Sequence, residues 1–216
     1  MRARLLWALF FLALMGHAFA EKSPAWTFFS KLLKEAGMTY SRPPGFVERS
    51  PEPNPVFVYH YRVKNPKTGV EIRYIVAPIR RIKVDYHDPH ASAPEPNHVF
   101  SLVFPSLLAK LSVDGFYREK EYPPLEALKL FNADWAGAGV FTPNPEFAPF
   151  AHGFVVAMHK NDRADAYEIF LANDLETLKA AVLKYQTALR YALSALDDEG
   201  KEQAGGGEVD HVEGDQ

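Results

Sequence analysis

The sequence predicts an α+β domain in which an antiparallel sheet lies between helices, an α/β/α sandwich. Three observations predict it. Apolar and polar residues alternate with period two in the paired block from Val56 to Val76, and three further strand-like segments follow between Gly137 and Ala172. Apolar residues recur every three or four positions around Trp26, Phe104 and Val182. Strands and helices come in separate runs rather than in strict alternation, an order that selects an antiparallel sheet.

The first element is an amphipathic helix: Ser23 caps it, Pro24 sits at its first position, Trp26, Phe29, Leu33 and Ala36 share a stripe, and Gly37 stops it. Met38-Thr39-Tyr40 and Phe46-Val47-Glu48 are brief strands around the corner Pro43-Pro44-Gly45. In Val56–Val63 the residues Phe57, Tyr59, Tyr61 and Val63 form one face, with His60 and Arg62 on the other. Val70–Val76 turns Val70, Ile72, Tyr74 and Val76 inward and Glu71 and Arg73 outward. Asn65-Pro66-Lys67-Thr68-Gly69 joins the two as a hairpin. With Val63 opposite Val70, Arg62 faces Glu71 and His60 faces Arg73, a solvated and partly charge-compensated outer face.

Pro78 to Pro96 loses its period and reads as a long surface loop. Asn97 then caps a helix striped by Phe100, Phe104, Leu107, Leu108 and Leu111, with Pro105 marking a kink or its true start. Pro124 opens a short helix whose Leu125, Leu128 and Phe131 lead to Trp135. Gly137–Thr142, Phe150–Lys160 and Ala164–Ala172 are three strands, the last two joined by the tight turn Asn161-Asp162-Arg163. A long final helix starts at Asn173, with Glu176 three residues on, and carries Leu175, Leu178, Val182, Tyr185, Leu189, Ala192 and Leu196.

The two ends of the chain differ from this middle. Arg2 and Arg4, the apolar run Leu5–Met15 and Ala18-Phe19-Ala20 predict a signal peptide over residues 1–20, cut after Ala20, and hence a periplasmic or secreted product. The apolar run is too short for a bilayer-crossing helix, and no transmembrane segment is expected in the mature chain. With no cysteine, neither a lipid-attachment site nor a disulfide is available. Residues 197–216 hold eight acids against Lys201, a composition that predicts a disordered acidic tail. Residues 21–196 form the expected single domain; it carries 21 bases and 19 acids, which leaves no basic footprint for nucleic acid.

Ala36-Gly37-Met38-Thr39-Tyr40 leading to Pro44-Gly45-Phe46, the hairpin Tyr59–Val76 with Glu71-Ile72-Arg73-Tyr74, and Asn132-Ala133-Asp134-Trp135 ahead of a strand recur in order. So do His159-Lys160-Asn161-Asp162 leading to Tyr167, and Ala188-Leu189-Arg190-Tyr191. Together these resemble the Mog1/PsbP-like fold, in particular bacterial secreted proteins of that architecture. The resemblance implies the sandwich and an accessory or binding role in a larger assembly; it carries over no active site.

Chemistry is sparse. Asp85, His87, Asp88 and His90, with His98 beyond, could ligate a divalent ion, His87, Asp88 and His90 being the best candidates; prolines and the lack of a regular element favour a solvated loop with no tight metal site. Neither Gly-x-Ser-x-Gly nor a phosphate-cradling glycine loop occurs, and no cofactor is expected. Asp134 and Trp135 could wall a pocket, and Arg62 and Arg73 could form a docking face on the sheet. The expectation is an exported, non-enzymatic accessory protein with a protein partner in the bacterial cell envelope. The alternative is an exported hydrolase or metal-dependent enzyme using the histidine-rich loop 85–98 or a pocket near Asp134.

Overall fold

The computed structural model describes residues 23–81 and 95–193. The signal-like segment, the acidic tail and most of the histidine-rich run, including Asp85, His87, Asp88 and His90, lie outside the described residues.

Four helices and nine strands follow in the order α1 (Pro24–Ala36), β1 (Met38–Tyr40), β2 (Val47–Arg49), β3 (Tyr61–Lys64), β4 (Glu71–Pro78), α2 (Phe100–Leu111), β5 (Ser112–Glu121), α3 (Pro124–Phe131), β6 (Trp135–Pro143), β7 (His152–Lys160), β8 (Ala164–Ala172), α4 (Leu175–Tyr185) and β9 (Leu189–Tyr191). Seven strands form one sheet in the order β2-β3-β4-β8-β7-β6-β5, and β1 and β9 form a separate two-stranded ribbon. Every pairing is antiparallel. The fold is therefore α+β with a large antiparallel sheet and helices on both faces, as the sequence predicts.

Cover differs between the faces. Helices α1, α3 and α4 lie on one side, where Phe29, Leu32, Phe131 and Leu178 pack on Tyr61, Ile72, Val156 and Phe170. Helix α2 lies on the other, where Phe104, Leu107, Leu108 and Leu111 pack on Ile75, Val155, Ile169 and Phe141. Each large side chain buried in this way stabilises the fold by about 1.5–3 kcal/mol before entropy is counted.

The first helix forms as its sequence dictates: the Ser23 hydroxyl accepts from Trp26 N, and Gly37 ends the helix at φ 64° in the left-handed region. Elsewhere tertiary contacts override local pattern. The strand expected over Val56–Val63 shrinks to β3, because the chain bends at His60. There the backbone N–H donates to the Tyr74 carbonyl, while the ring Nδ1 accepts from Val76 N–H. The bend sends Tyr59 into the α2-side core and Tyr61 into the opposite one. Hairpin register also differs by two residues: Val63 faces Ile72 and Arg62 faces Arg73, because Asn65 N–H closes the loop onto the Val70 carbonyl.

Asn97 does not cap α2. It lies in a short 3-10 turn, Pro96–His98, and bonds Asp162 instead; α2 runs through Pro105. In α3 the buried face is Ala127 and Phe131, whereas Leu125 is 81% exposed. β5 is a strand that the sequence pattern does not predict. Finally, α4 begins after Asp174, whose carboxylate accepts from Thr177 N, and ends at Tyr185. Asn173 instead accepts from Ala151 N–H. Leu189 belongs to β9, where pairing with β1 outweighs the helical period.

Candidate functional site

Arg62 and Arg73 are not on an exposed docking face: their residues are 9% and 3% accessible. The segment around Glu52–Tyr59 and the stretch Asn144–Phe150 fold over this part of the sheet. Arg73 lies between the rings of Tyr59 and Phe147, 4.6 and 4.7 Å from their centroids, and donates to the Phe147 carbonyl at 2.9 Å. Arg62 and Arg73 are direct cross-strand neighbours, a repulsive pairing that Glu71 relieves: its carboxylate lies 2.8 Å from Arg73 and 3.7 Å from Arg62. Glu52 bonds Arg62 at 2.8 Å from the solvent side. Burial of two guanidiniums with their counter-charges fastens the loop to the sheet.

Asp134 and Trp135 are brought together with His159, which the sequence marks only through the resemblance and not as a site residue. Trp135 pairs with His159 across β6 and β7. Asp134 accepts from the Asn161 backbone N–H at 2.9 Å and so holds the β7–β8 turn. The Trp135 ring packs on Phe100 and Phe104 of α2, at 4.9 and 5.6 Å between centroids, and lies so close over Gly137 that a Cβ there would meet it at 2.6 Å. Trp135 therefore closes the α2-side core rather than the α3 stripe. His159 is stacked beneath Phe100 at 4.0 Å, with its Nδ1 2.7 Å from Asp165 and its Nε2 3.1 Å from the Asn161 side-chain oxygen. Burial disfavours the charged ring, but the bonds to Asp165 and Asn161 and the field of Asp134 outweigh it and hold the imidazole pKa above its ordinary value. Both ring nitrogens already face oxygen partners, so neither is placed to take a proton from a nucleophile. The arrangement fastens β7 to β8 at the end of the sheet. Its sequence signal was available: His159 and Asp165 flank the tight turn symmetrically and therefore face each other across it.

A further buried acid, Glu168, sits in the middle of β8 opposite Tyr74. One carboxyl oxygen accepts from Leu189 N–H at 3.0 Å; the other, with the hydroxyls of Tyr40 and Tyr74, has no hydrogen-bond partner among the described residues. Burial pushes the carboxyl well above its ordinary range and so favours its neutral form in the link between β8 and β9. None of the residues lining the described recesses belongs to this group.

Among the described residues no group of three or more histidine and carboxylate side chains could hold a metal ion, and none of the helices is long and apolar enough to cross a membrane. His98 is exposed, 3.6 Å from Glu95.

The uncovered surface lies elsewhere, on the β5–β6 wing. One cross-strand row runs Val63, Ile72, Phe170, Phe154, Val140, Arg118 from β3 to β5. Its first three members are fully buried under α1 and α4, whereas Val140 is 49% exposed and Arg118 is open. Phe116, on the same face of β5 by alternation, is 74% exposed. That face of β5 carries Phe116, Arg118 and Lys120; its reverse carries Tyr117, Glu119 and Glu121. β5 is also a sheet edge. A second copy pairing antiparallel along it, about a two-fold normal to the sheet, would set cation against cation and carboxylate against carboxylate, so the charges protect the edge from self-association.

Comparison with protein-family models, with curated proteins and with solved structures finds no match to this chain.

Proposed function

We propose that the chain is an exported, non-enzymatic accessory protein that docks a protein partner of the bacterial cell envelope on the open face of β5 and β6. The observation that carries this reading is the interrupted row: the strand alternation that fills the interior at Ile72 and Phe170 continues to Phe154 and Val140, and the helical layer stops short of it. Two strands at ~4.8 Å spacing make a bare strip about 10 Å wide, the diameter of one helix. Phe116 and Val140 supply apolar anchors, while Arg118 and Lys120 supply positive charge beside them. The occupant that fits is an amphipathic helix whose apolar stripe is flanked by carboxylates. The signal-like first twenty residues and the resemblance to the Mog1/PsbP-like fold support export and an accessory role.

The enzymatic alternative draws less support. Near Asp134 the side chains are already engaged, His159 with Asp165 and Asn161 and Asp134 with the Asn161 backbone N–H, and among the described residues no hydroxyl nucleophile is bonded to His159.

The test is capture from the envelope fraction on the intact chain, with Phe116→Asp/Val140→Asp as the paired bait. A specific partner recovered by the wild type and reduced at least about tenfold on the variant is expected, a change of ~1.4 kcal/mol or more. Equal recovery by both baits contradicts the proposed face. Amino-terminal sequencing of the exported product should begin at Glu21.

A further inference from the structure

We infer that a cationic recess between α1 and the β7–β8 turn is the docking site of the chain's own acidic C-terminal segment. This inference is independent of the partner face on β5 and β6. The recess has a volume of about 450 Å³ and is lined by Lys31, Lys34, Arg80 and Arg163 together with Glu35 and Asp162. Both acids are already engaged: Glu35 is held by Arg81 through two hydrogen bonds at 2.6 and 2.9 Å, and Asp162 accepts from Asn97 at 3.0 Å. Among the described residues, no carboxylate lies within ion-pair distance of any of the four lining cations. Lys34 lies in the last turn of α1, where a cation is ordinary. Lys31, Arg80 and Arg163 come from three different elements, and the helix end does not explain their convergence.

The C-terminal strand delivers its chain to this place. Ala192 N–H donates to the Gly37 carbonyl at 2.8 Å, and the Arg163 guanidinium lies against the same Gly37, 3.3 Å from where a Cβ would stand. The Tyr191 hydroxyl donates to the Ala164 carbonyl at 2.6 Å, fixing β9 beside the turn that carries Arg163. After Leu193 the chain continues for 23 residues, with eight acids from Asp197 onward. Asp197 lies four positions beyond Leu193, a reach of about 13 Å at ~3.3 Å per residue, and Arg163 of the recess is already in contact with Gly37. A tethered polyanion placed at this distance meets the cations at an effective concentration in the millimolar range without any free ligand.

Carbodiimide coupling of the intact chain tests this, because it joins a carboxylate to a lysine amine only where the two touch. Peptide mapping should find Lys31 and Lys34 coupled to acids between Asp197 and Asp215 roughly tenfold more often than the equally open Lys67 and Lys110, as tethering predicts. Arg80→Glu/Arg163→Glu, both at exposed positions, should reduce that coupling severalfold. Coupling spread evenly over the lysines, or unchanged in the Arg80→Glu/Arg163→Glu chain, overturns the inference. Products that join light and heavy chains in an isotope-mixed sample also overturn it, since a second copy would then supply the acids. Binding of inorganic tripolyphosphate with no tail coupling in its absence overturns it as well, leaving the recess a site for an external phosphate.

Discussion

The centre and the wing of the sheet share one strand row and one pattern of alternation, yet they end in opposite environments. At Ile72 and Phe170 the row is sealed under α1 and α4; at Val140 and Arg118 it is open to solvent. The wing's reverse face is not open: Gly139 and Phe141 pack beneath α2. Alternation therefore marks which residues are able to enter a core, and the helical layer decides which of them do. A face that keeps apolar side chains where cover ends, with cations set among them, differs from both a core and an ordinary solvated surface.

That comparison can be broken by mutation, and the largest effect belongs to the centre. Phe170→Ala should cost about 3–5 kcal/mol in denaturant unfolding, the usual loss for a fully buried phenyl group. On the wing's covered face, Gly139→Val should cost about 1–3 kcal/mol, since a Cβ would come 2.4 Å from Leu108; a neutral result would mean that α2 does not press on this strand.

The two buried titrating groups sharpen the contrast through pH. Both pKa values are raised in the folded state, so both contributions are complete below the ordinary pKa and are lost as pH rises through the folded one. For His159 the loss begins above about 6.5, and for Glu168 above about 4.5, with a slope of at most ~1.4 kcal/mol per pH unit for each proton. Glu168→Gln should flatten the part of the stability profile that falls from mildly acid pH, and His159→Gln the part that falls near neutrality. A profile unchanged by either substitution contradicts the assignment of that group. The smallest effect belongs to the open face, where Phe116→Ser should change stability by no more than about 0.5 kcal/mol.

Much of the centre was legible from single residues. Ser23, Pro24 and Gly37 bound α1 by local chemistry alone, and the stripes of α1 and α2 point where they read. Three features were hidden because distant contacts decide them. The end of α4 at Tyr185 depends on β1 offering a partner for Leu189. The burial of Arg73 depends on Phe147, more than seventy positions away, folding over it. β5 escaped notice because an edge strand with one open face needs little apolar content, and its charged run reads as a loop. The candidate site was half visible: Asp134 and Trp135 stood out, but His159 needed the strand register, and the bare wing needed the position of the helices.

The decisive measurement is the unfolding free energy of the free protein carrying Val140→Asp, set beside that of the wild type. A carboxylate placed on a surface that none of the described elements covers should leave stability within about 0.5 kcal/mol. A loss of ~3 kcal/mol or more, the signature of a charge forced into an interior, would contradict the claim that this face is kept open for a partner.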